Sequence, residues 1–99
     1  EDCSDLSNDL IPNEFSISSP YPNPFNPLVK FDFSLPSISE VYISVYDING
    51  NYVTTLLDEV SSPGYYSVVW DANLYPTGMY FIQFRSGHII KTMKVILIK

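Results

Sequence analysis

Residues 41–57 of the chain read VYISVYDINGNYVTTLL, which is the clearest β-hairpin signal in the sequence. Apolar side chains alternate with polar or aromatic ones over the first five residues, as they do on a strand with one buried face. Asp47 to Gly50 then supplies residues that tolerate the positive φ angles of a tight turn. Residues 52–57 are predicted to return as the partner strand.

Short apolar runs separated by turn residues recur from Phe15 onward, at the spacing of roughly 8–12 residues that is typical of sandwiches and barrels. No segment shows the 3.6-residue period of a helix of useful length. Trp70 lies on the apolar face of one run and is predicted to be a large aromatic anchor of the core. The clearest of these runs are predicted to be strands at residues 29–35, 41–46, 52–57, 65–70, 79–85 and 88–99.

About seven short strands indicate an all-β fold. A chain of 99 residues is predicted to form one domain with a thin core. Residues 15–99 are predicted to form an immunoglobulin-like antiparallel β-sandwich, because a closed barrel usually has longer, even-numbered strands. A five- or six-stranded open barrel is the alternative architecture.

The negative charge of the chain is concentrated at its start. The formal net charge is −6, and five of the eleven acidic residues fall within residues 1–14. This segment is predicted to be an acidic linker or arm. Nucleic acid is not an expected partner, because phosphate binding needs clustered Lys and Arg and the chain has no such cluster. No membrane span is predicted, because no apolar run reaches about 18 residues.

The sequence offers little for catalysis or metal binding. His88 is the only histidine and follows a predicted surface turn, so a Ser-His-Asp or Cys-His centre would form around an exposed residue. Asp47 could share a calcium ion with Asp58-Glu59 only if their loops met. We therefore expect no catalytic centre, no metal site and no cofactor. Cys3 is the only cysteine, which excludes an internal disulfide and leaves three alternatives open: a residue present by chance, an intermolecular link or a lipid site.

Residues 21–27 read YPNPFNP, and we call this segment the elbow. Each proline fixes its own φ angle and pushes the preceding residue toward an extended conformation. In a structural interpretation, Tyr21 and Phe25 close one end of the sandwich while the asparagine amides bond to loop backbone. In a functional interpretation, the elbow is a docking ridge similar to a proline-rich ligand.

Residues 93–98 carry apolar side chains on both faces of the last predicted strand. A central position in a sheet would explain this pattern. A position at the edge would instead expose apolar side chains and unpaired backbone groups, which suit pairing with a partner strand. Lys91, Lys94 and Lys99 would protect the strand from aggregation in the first case and would be recognition charges in the second.

Four segments carry a family resemblance: the elbow, Val45 to Gly50, Val68 to Asp71, and Gly78 to Phe81 continued by Lys94 and Lys99. In this order they resemble the type A C-terminal sorting domains of type IX secretion cargo, to which the immunoglobulin-like domains of flagellar hook-capping proteins are related. The resemblance covers about residues 15–99. Pro27-Leu28 and Asn51 depart from it, since many members have a glycine and a basic residue at these places.

The resemblance implies a non-catalytic sorting signal that folds in the periplasm of a Gram-negative bacterium and is recognised by an outer-membrane secretion translocon. Cargo then reaches the cell surface or the exterior, and a surface sortase-like peptidase commonly cuts upstream, in a linker that residues 1–14 match. Strand addition to the last strand is a suitable mode of recognition. The signal residues that the resemblance implies are Asn23, Pro24, Asp47, Gly50, Gly78, Tyr80, Lys94 and Lys99.

Two other classes of function stay open. A secreted structural subunit would assemble with copies of itself into extracellular filaments by strand exchange. Its arm would carry Leu10, Ile11, Phe15 and Ile17. An adhesion or carbohydrate-binding module would need aromatic side chains exposed together on one face. The candidates for that face are Tyr42, Tyr46, Tyr65 and Tyr75.

Overall fold

The structure of the chain is a computed structural model, and it describes residues 14–99. Seven strands form a three-stranded sheet in the order β1-β2-β5 and a four-stranded sheet in the order β4-β3-β6-β7, with antiparallel pairing throughout. The predicted all-β sandwich is confirmed, and the chain does not form the alternative open barrel. The strands are β1 (Ser16–Ile17), β2 (Leu28–Leu35), β3 (Ser39–Asp47), β4 (Tyr52–Ser61), β5 (Gly64–Asp71), β6 (Gly78–Ser86) and β7 (Ile89–Leu97).

The core lies between the two sheets and is built from the alternating apolar side chains that the sequence indicates. The odd-numbered apolar residues of β2 and β3 are at most 2% exposed. Burial of each such side chain contributes about 1.5–3 kcal/mol, so these strands supply much of the stability of the fold. The remaining strands and the segments between them complete the core with Phe25, Trp70, Ala72, Tyr80, Ile82, Phe84, Val95 and Leu97.

The β3–β4 hairpin forms where the sequence predicts it. The carboxylate oxygen Oδ1 of Asp47 accepts hydrogen bonds from the backbone N–H groups of Asn49 and Asn51, each at 2.9 Å. Gly50 has a φ angle of 84°, a value that other residues adopt only with strain, and its N–H donates to the Asp47 carbonyl at 2.9 Å. The turn itself therefore explains why Asp47 and Gly50 stand at these two positions.

β4 continues to Ser61, beyond the predicted end at Leu57. The register with β3 shifts between Ile43 and Ser44 and again between Val45 and Tyr46. Each shift places an extra β4 residue opposite β3, which breaks the two-residue alternation by which a strand is recognised in a sequence.

The order of the elements defines two ends of the sandwich. The upper end holds the elbow, the β3–β4 turn and the start of β6, and the lower end holds the β6–β7 turn. β1 leads upward from the lower end beside β2, and the elbow then crosses from Tyr21, which pairs with Lys30 of β2, to Phe25, which pairs with Leu97 of β7. The elbow thus bridges the two sheets at the upper end.

Candidate recognition surface

The elbow runs along the free edge of β7, which is the outermost strand of the four-stranded sheet. The backbone N–H of Phe25 donates to the carbonyl of Ile96 at 2.9 Å, and the N–H of Ile98 donates to the carbonyl of Phe25 at 2.9 Å. Phe25 therefore pairs with β7 as a single residue of parallel strand. The open edge of β7 is closed at this place by a short piece of its own chain.

The side chain of Asn23 extends this pairing. Its Nδ2 donates to the carbonyl of Lys94 at 2.9 Å, and its Oδ1 accepts from the N–H of Ile96 at 3.0 Å. A side-chain amide has the same donor and acceptor as a peptide group, so it can stand in for one. Asn23 and Phe25 together bond four successive edge groups of β7, from the Lys94 carbonyl to the Ile98 N–H.

The ring of Phe25 anchors the elbow in the core. It is 2% exposed, and its centroid lies 5.6 Å from that of Trp70. The structural interpretation of the elbow is thus confirmed for Phe25, and Asn23 bonds to strand backbone rather than to a loop. It is wrong for Tyr21, which is 46% exposed and donates from its hydroxyl to Asp32 at 3.3 Å. The reason is that Tyr21 pairs with Lys30, and paired residues of neighbouring strands direct their side chains to the same face. The neighbours of Lys30 in β2 face the core, so Lys30 and Tyr21 face outward.

β7 has the edge position that the sequence left as one of two alternatives. Val95 and Leu97 face the core and are 0% exposed, whereas Ile96 is half-buried on the outer face and Ile98 is 49% exposed. The apolar residues on both faces of this strand are therefore not explained by a central position. The elbow covers the backbone edge between them.

The predicted signal residues of β6 lie beside the turn. Gly78 begins β6 opposite Leu97, and Tyr80 pairs with Asp47. The Tyr80 ring is 5% exposed and its hydroxyl donates to the Pro76 carbonyl at 2.6 Å. Burial raises the pKa of Tyr80 above its ordinary value, and the nearby Asp47 charge and Tyr75 add to this.

Lys99 is tied to the loop that follows β5. Its Nζ donates to the Asn73 carbonyl at 2.5 Å, and its backbone N–H donates to Thr77 Oγ1 at 3.3 Å. All eight predicted signal residues thus lie in the upper half of the sandwich, and the structure brings Asn23 and Lys94 into direct contact. Asn23, Pro24 and Lys94 are exposed there. The polar side-chain atoms of Asp47 and Tyr80 instead form hydrogen bonds within the domain.

The residues of the other two hypotheses are dispersed or used internally. Phe15 and Ile17 pack against the core of their own domain, with the Phe15 ring centroid 5.2 Å from that of Phe84. Leu10, Ile11 and Cys3 lie outside the described residues. The four tyrosines do not share a face. Tyr42 and Tyr46 lie on the outer face of the four-stranded sheet, Tyr65 lies on that of the other sheet, and Tyr75 packs on Trp70.

The backbone groups of β7 to which the elbow binds could not be predicted from the sequence. Every residue carries the same N–H and carbonyl, so no residue type marks these groups in the sequence. The asparagine between two prolines was a partial signal, because its side-chain amide needs hydrogen-bond partners.

Side-chain clusters and helices are described for residues 14–99 alone. Within residues 14–99, no three or more His, Cys, Asp and Glu side chains lie close enough together to hold a metal ion. That same range contains no helix with the length and apolar character needed to cross a membrane.

Searches among curated proteins and among solved structures found no match to the chain. The family model of the secretion system C-terminal sorting domain matches residues 19–99. The match includes the elbow, strands β2 to β7 and all eight predicted signal residues, and it confirms the resemblance to type IX sorting domains. The chain therefore belongs to the secretion system C-terminal sorting domain family, whose members direct export by the type IX system to the outer membrane or cell surface.

Proposed function

We propose that residues 15–99 are a non-catalytic sorting signal that the outer-membrane translocon of the type IX system recognises from the periplasm. The proposed recognition surface consists of the exposed parts of Asn23, Pro24 and Lys94 at the upper end. Residues 1–14 would be the linker to a cargo domain, and a surface sortase-like peptidase would cut within it.

The contact between Asn23 and Lys94 is the observation that carries this proposal. These two residues are 71 positions apart in the chain, and the Asn23 amide bonds the Lys94 carbonyl at 2.9 Å. The contact fixes the start of the elbow against the strand that bears the lysine. A surface that is ordered before binding loses less conformational entropy on association, which favours recognition.

The side chain of Lys94 is free to be recognised. It is exposed on the outer face of the four-stranded sheet, where Phe81 pairs with Lys94 and Tyr46 pairs with Phe81. The upper end thus offers a partner one positive charge between half-buried aromatic rings and the exposed prolines of the elbow. A partner with a carboxylate and apolar side chains would complement it.

Secretion of a reporter tests the proposal. In a host with the type IX system, a reporter fused to residues 1–99 should reach the cell surface, and the same reporter fused to residues 1–14 alone should stay in the periplasm. Retention of a folded reporter in both fusions would contradict the proposal.

A pair of lysine variants tests the surface itself. Lys94→Ala should reduce delivery of the full fusion, because it removes the exposed charge without removing a core side chain. Lys30→Ala is the matched control, since Lys30 lies on the other sheet. Both variants should keep the thermal midpoint of the unmodified domain to within a few degrees. Equal delivery of the two variants would exclude Lys94 from recognition.

A further inference from the structure

The free edge of β7 is capped only in its upper half. Pairing between β6 and β7 is regular from Gly78 opposite Leu97 to Ser86 opposite Ile89. In such a ladder, successive residues direct their backbone groups alternately to the partner strand and away from it. Because the N–H and carbonyl of Ile96 point away from β6 to the elbow, the same groups of Ile90 and Thr92 point away from β6 as well.

These lower groups are unpaired among residues 14–99. No described residue bonds the N–H or carbonyl of Ile90 or Thr92, or the N–H of Lys94, on the outer side of β7. Ile90 is 56% exposed, and Thr92 is exposed too. An exposed row of donors and acceptors is a template for an added strand.

The charges around this open half indicate the charge of the strand that it would bind. Four of the five basic residues of the chain lie on β6, on β7 or directly after β7. The free edges of β4 and β5 have the opposite character, since β4 carries Asp58 and Glu59 and β5 ends at Asp71. The basic residues around the open edge are Arg85, Lys91 and Lys94.

We infer that the secretion machinery adds one extended strand with acidic side chains to the lower half of the β7 edge, from Ile90 to the N–H of Lys94. This inference rests on the proposed function and names its mode of binding. The elbow sets the upper limit of the added strand, because Asn23 already occupies the Lys94 carbonyl. The added strand would therefore end beside the exposed Asn23, Pro24 and Lys94, and the two parts would form one continuous surface.

A proline at Thr92 tests the pairing directly. Thr92→Pro removes an outward N–H and blocks the approach of a strand, while the ladder with β6 uses other groups and is kept. Val69→Pro is the matched control on the edge of β5. Lys30 directs its backbone groups to Tyr21, so its β5 partner Val69 directs its own groups outward. In the reporter assay, Thr92→Pro should reduce surface delivery to the level of the fusion without the domain, and Val69→Pro should not.

A charge variant covers the case in which Thr92→Pro fails to fold. Lys91→Glu reverses an exposed charge of the open edge without changing a core side chain. It should reduce delivery, whereas Tyr65→Glu, which places a negative charge at an exposed position of the other sheet, should leave delivery unchanged. If the unmodified fusion is delivered and both edge variants are delivered equally well, the inference is overturned and the proposed function stands. If the unmodified fusion is not delivered, both fall.

Amide hydrogen exchange in the isolated chain shows whether the edge is open before binding. The N–H groups of Ile90 and Thr92 should exchange as fast as that of Val69, and those of Ile96 and Ile98 should exchange slowly because the elbow bonds them. Protection of Ile90 and Thr92 that does not depend on concentration would assign the edge to residues 1–13 of the same chain. Protection that rises with concentration would assign it to a second copy. Either result overturns the inference.

Discussion

Trp70 is the residue at which both sheets and the elbow meet. It belongs to β5 in the three-stranded sheet, and its ring centroid lies 5.3 Å from that of Tyr80 in β6 and 5.6 Å from that of Phe25 in the elbow. The ring is 3% exposed, so it fills the upper end of the core. Its indole N–H is buried and has no hydrogen-bond partner among the described residues.

Removal of this ring should be costly. Trp70→Ala should lower the free energy of unfolding by about 3–5 kcal/mol, the range for loss of a large aromatic side chain from a core. Trp70→Phe should cost much less, because it keeps most of the ring and removes an unpaired buried donor. Urea unfolding measures both. Tyr65→Ala is the control, since Tyr65 is 62% exposed and its loss should change stability by less than about 0.5 kcal/mol. A Trp70→Ala protein as stable as this control would show that the ring is not in the core.

Tyr80 should make the stability of the domain depend on pH in the alkaline range. Burial raises its pKa in the folded state, which means that folding favours the neutral phenol. The resulting contribution is fully present below the unfolded-state pKa of about 10 and is lost as the pH rises through the folded-state pKa. The stability of the wild type should therefore fall relative to Tyr80→Phe above about pH 10, and the difference should be constant from pH 7 to 9. A difference that stays constant to pH 11 would contradict this assignment.

At the scale of elements, the elbow and β7 form one unit. The side chain of Asn23 supplies two of the four hydrogen bonds between them. Asn23→Ala should lower the free energy of unfolding by about 1–2 kcal/mol, because two edge groups lose their partners at a site that water reaches. Asn26→Ala is the control, since Asn26 is exposed in the same elbow and its side chain makes no hydrogen bond with a described residue. Equal stability of the two variants in urea would show that the Asn23 contacts do not hold the strand.

The strands that could be predicted from the sequence are those whose alternation is unbroken. β2 and β3 each bury every second residue over most of their length, so their faces and approximate bounds follow from the pattern alone. β4 was predicted four residues too short, because the missed part begins with Asp58 and Glu59, which are exposed and of residue types that are uncommon in strands. The two register shifts at Val53 and Leu56 could not be predicted either, since a pattern of period two carries no information about an extra residue in one strand.

The candidate site was predicted less completely than the fold. The resemblance brought Asn23 and Lys94 into one set, but the bond between them depends on where the elbow crosses to β7. The two alternatives for the last strand also depended on strand order, which local periodicity does not encode. The division of the β7 edge into a capped and an open half follows only once the elbow and the β6–β7 ladder are seen together.

For the whole molecule, the end of the chain is both signal and core. Val95 and Leu97 are 0% exposed, and the elbow bonds the backbone from Lys94 to Ile98. Deletion of residues 94–99 removes two core side chains, each contributing about 1.5–3 kcal/mol, and leaves Phe25 without its backbone partners. This loss is comparable to the total stability of a small domain, which is about 5–15 kcal/mol.

The chain that ends at residue 93 should therefore lack a cooperative thermal transition in circular dichroism, whereas a chain without Lys99 alone should keep one, because Lys99 is exposed. A cooperative transition in the shorter chain would show that the end of β7 is dispensable for folding. If the transition is lost as expected, a failure of that deletion to be secreted reports on folding rather than on recognition. Lys94→Ala and Thr92→Pro, in a domain that still folds, are then the variants that separate the two.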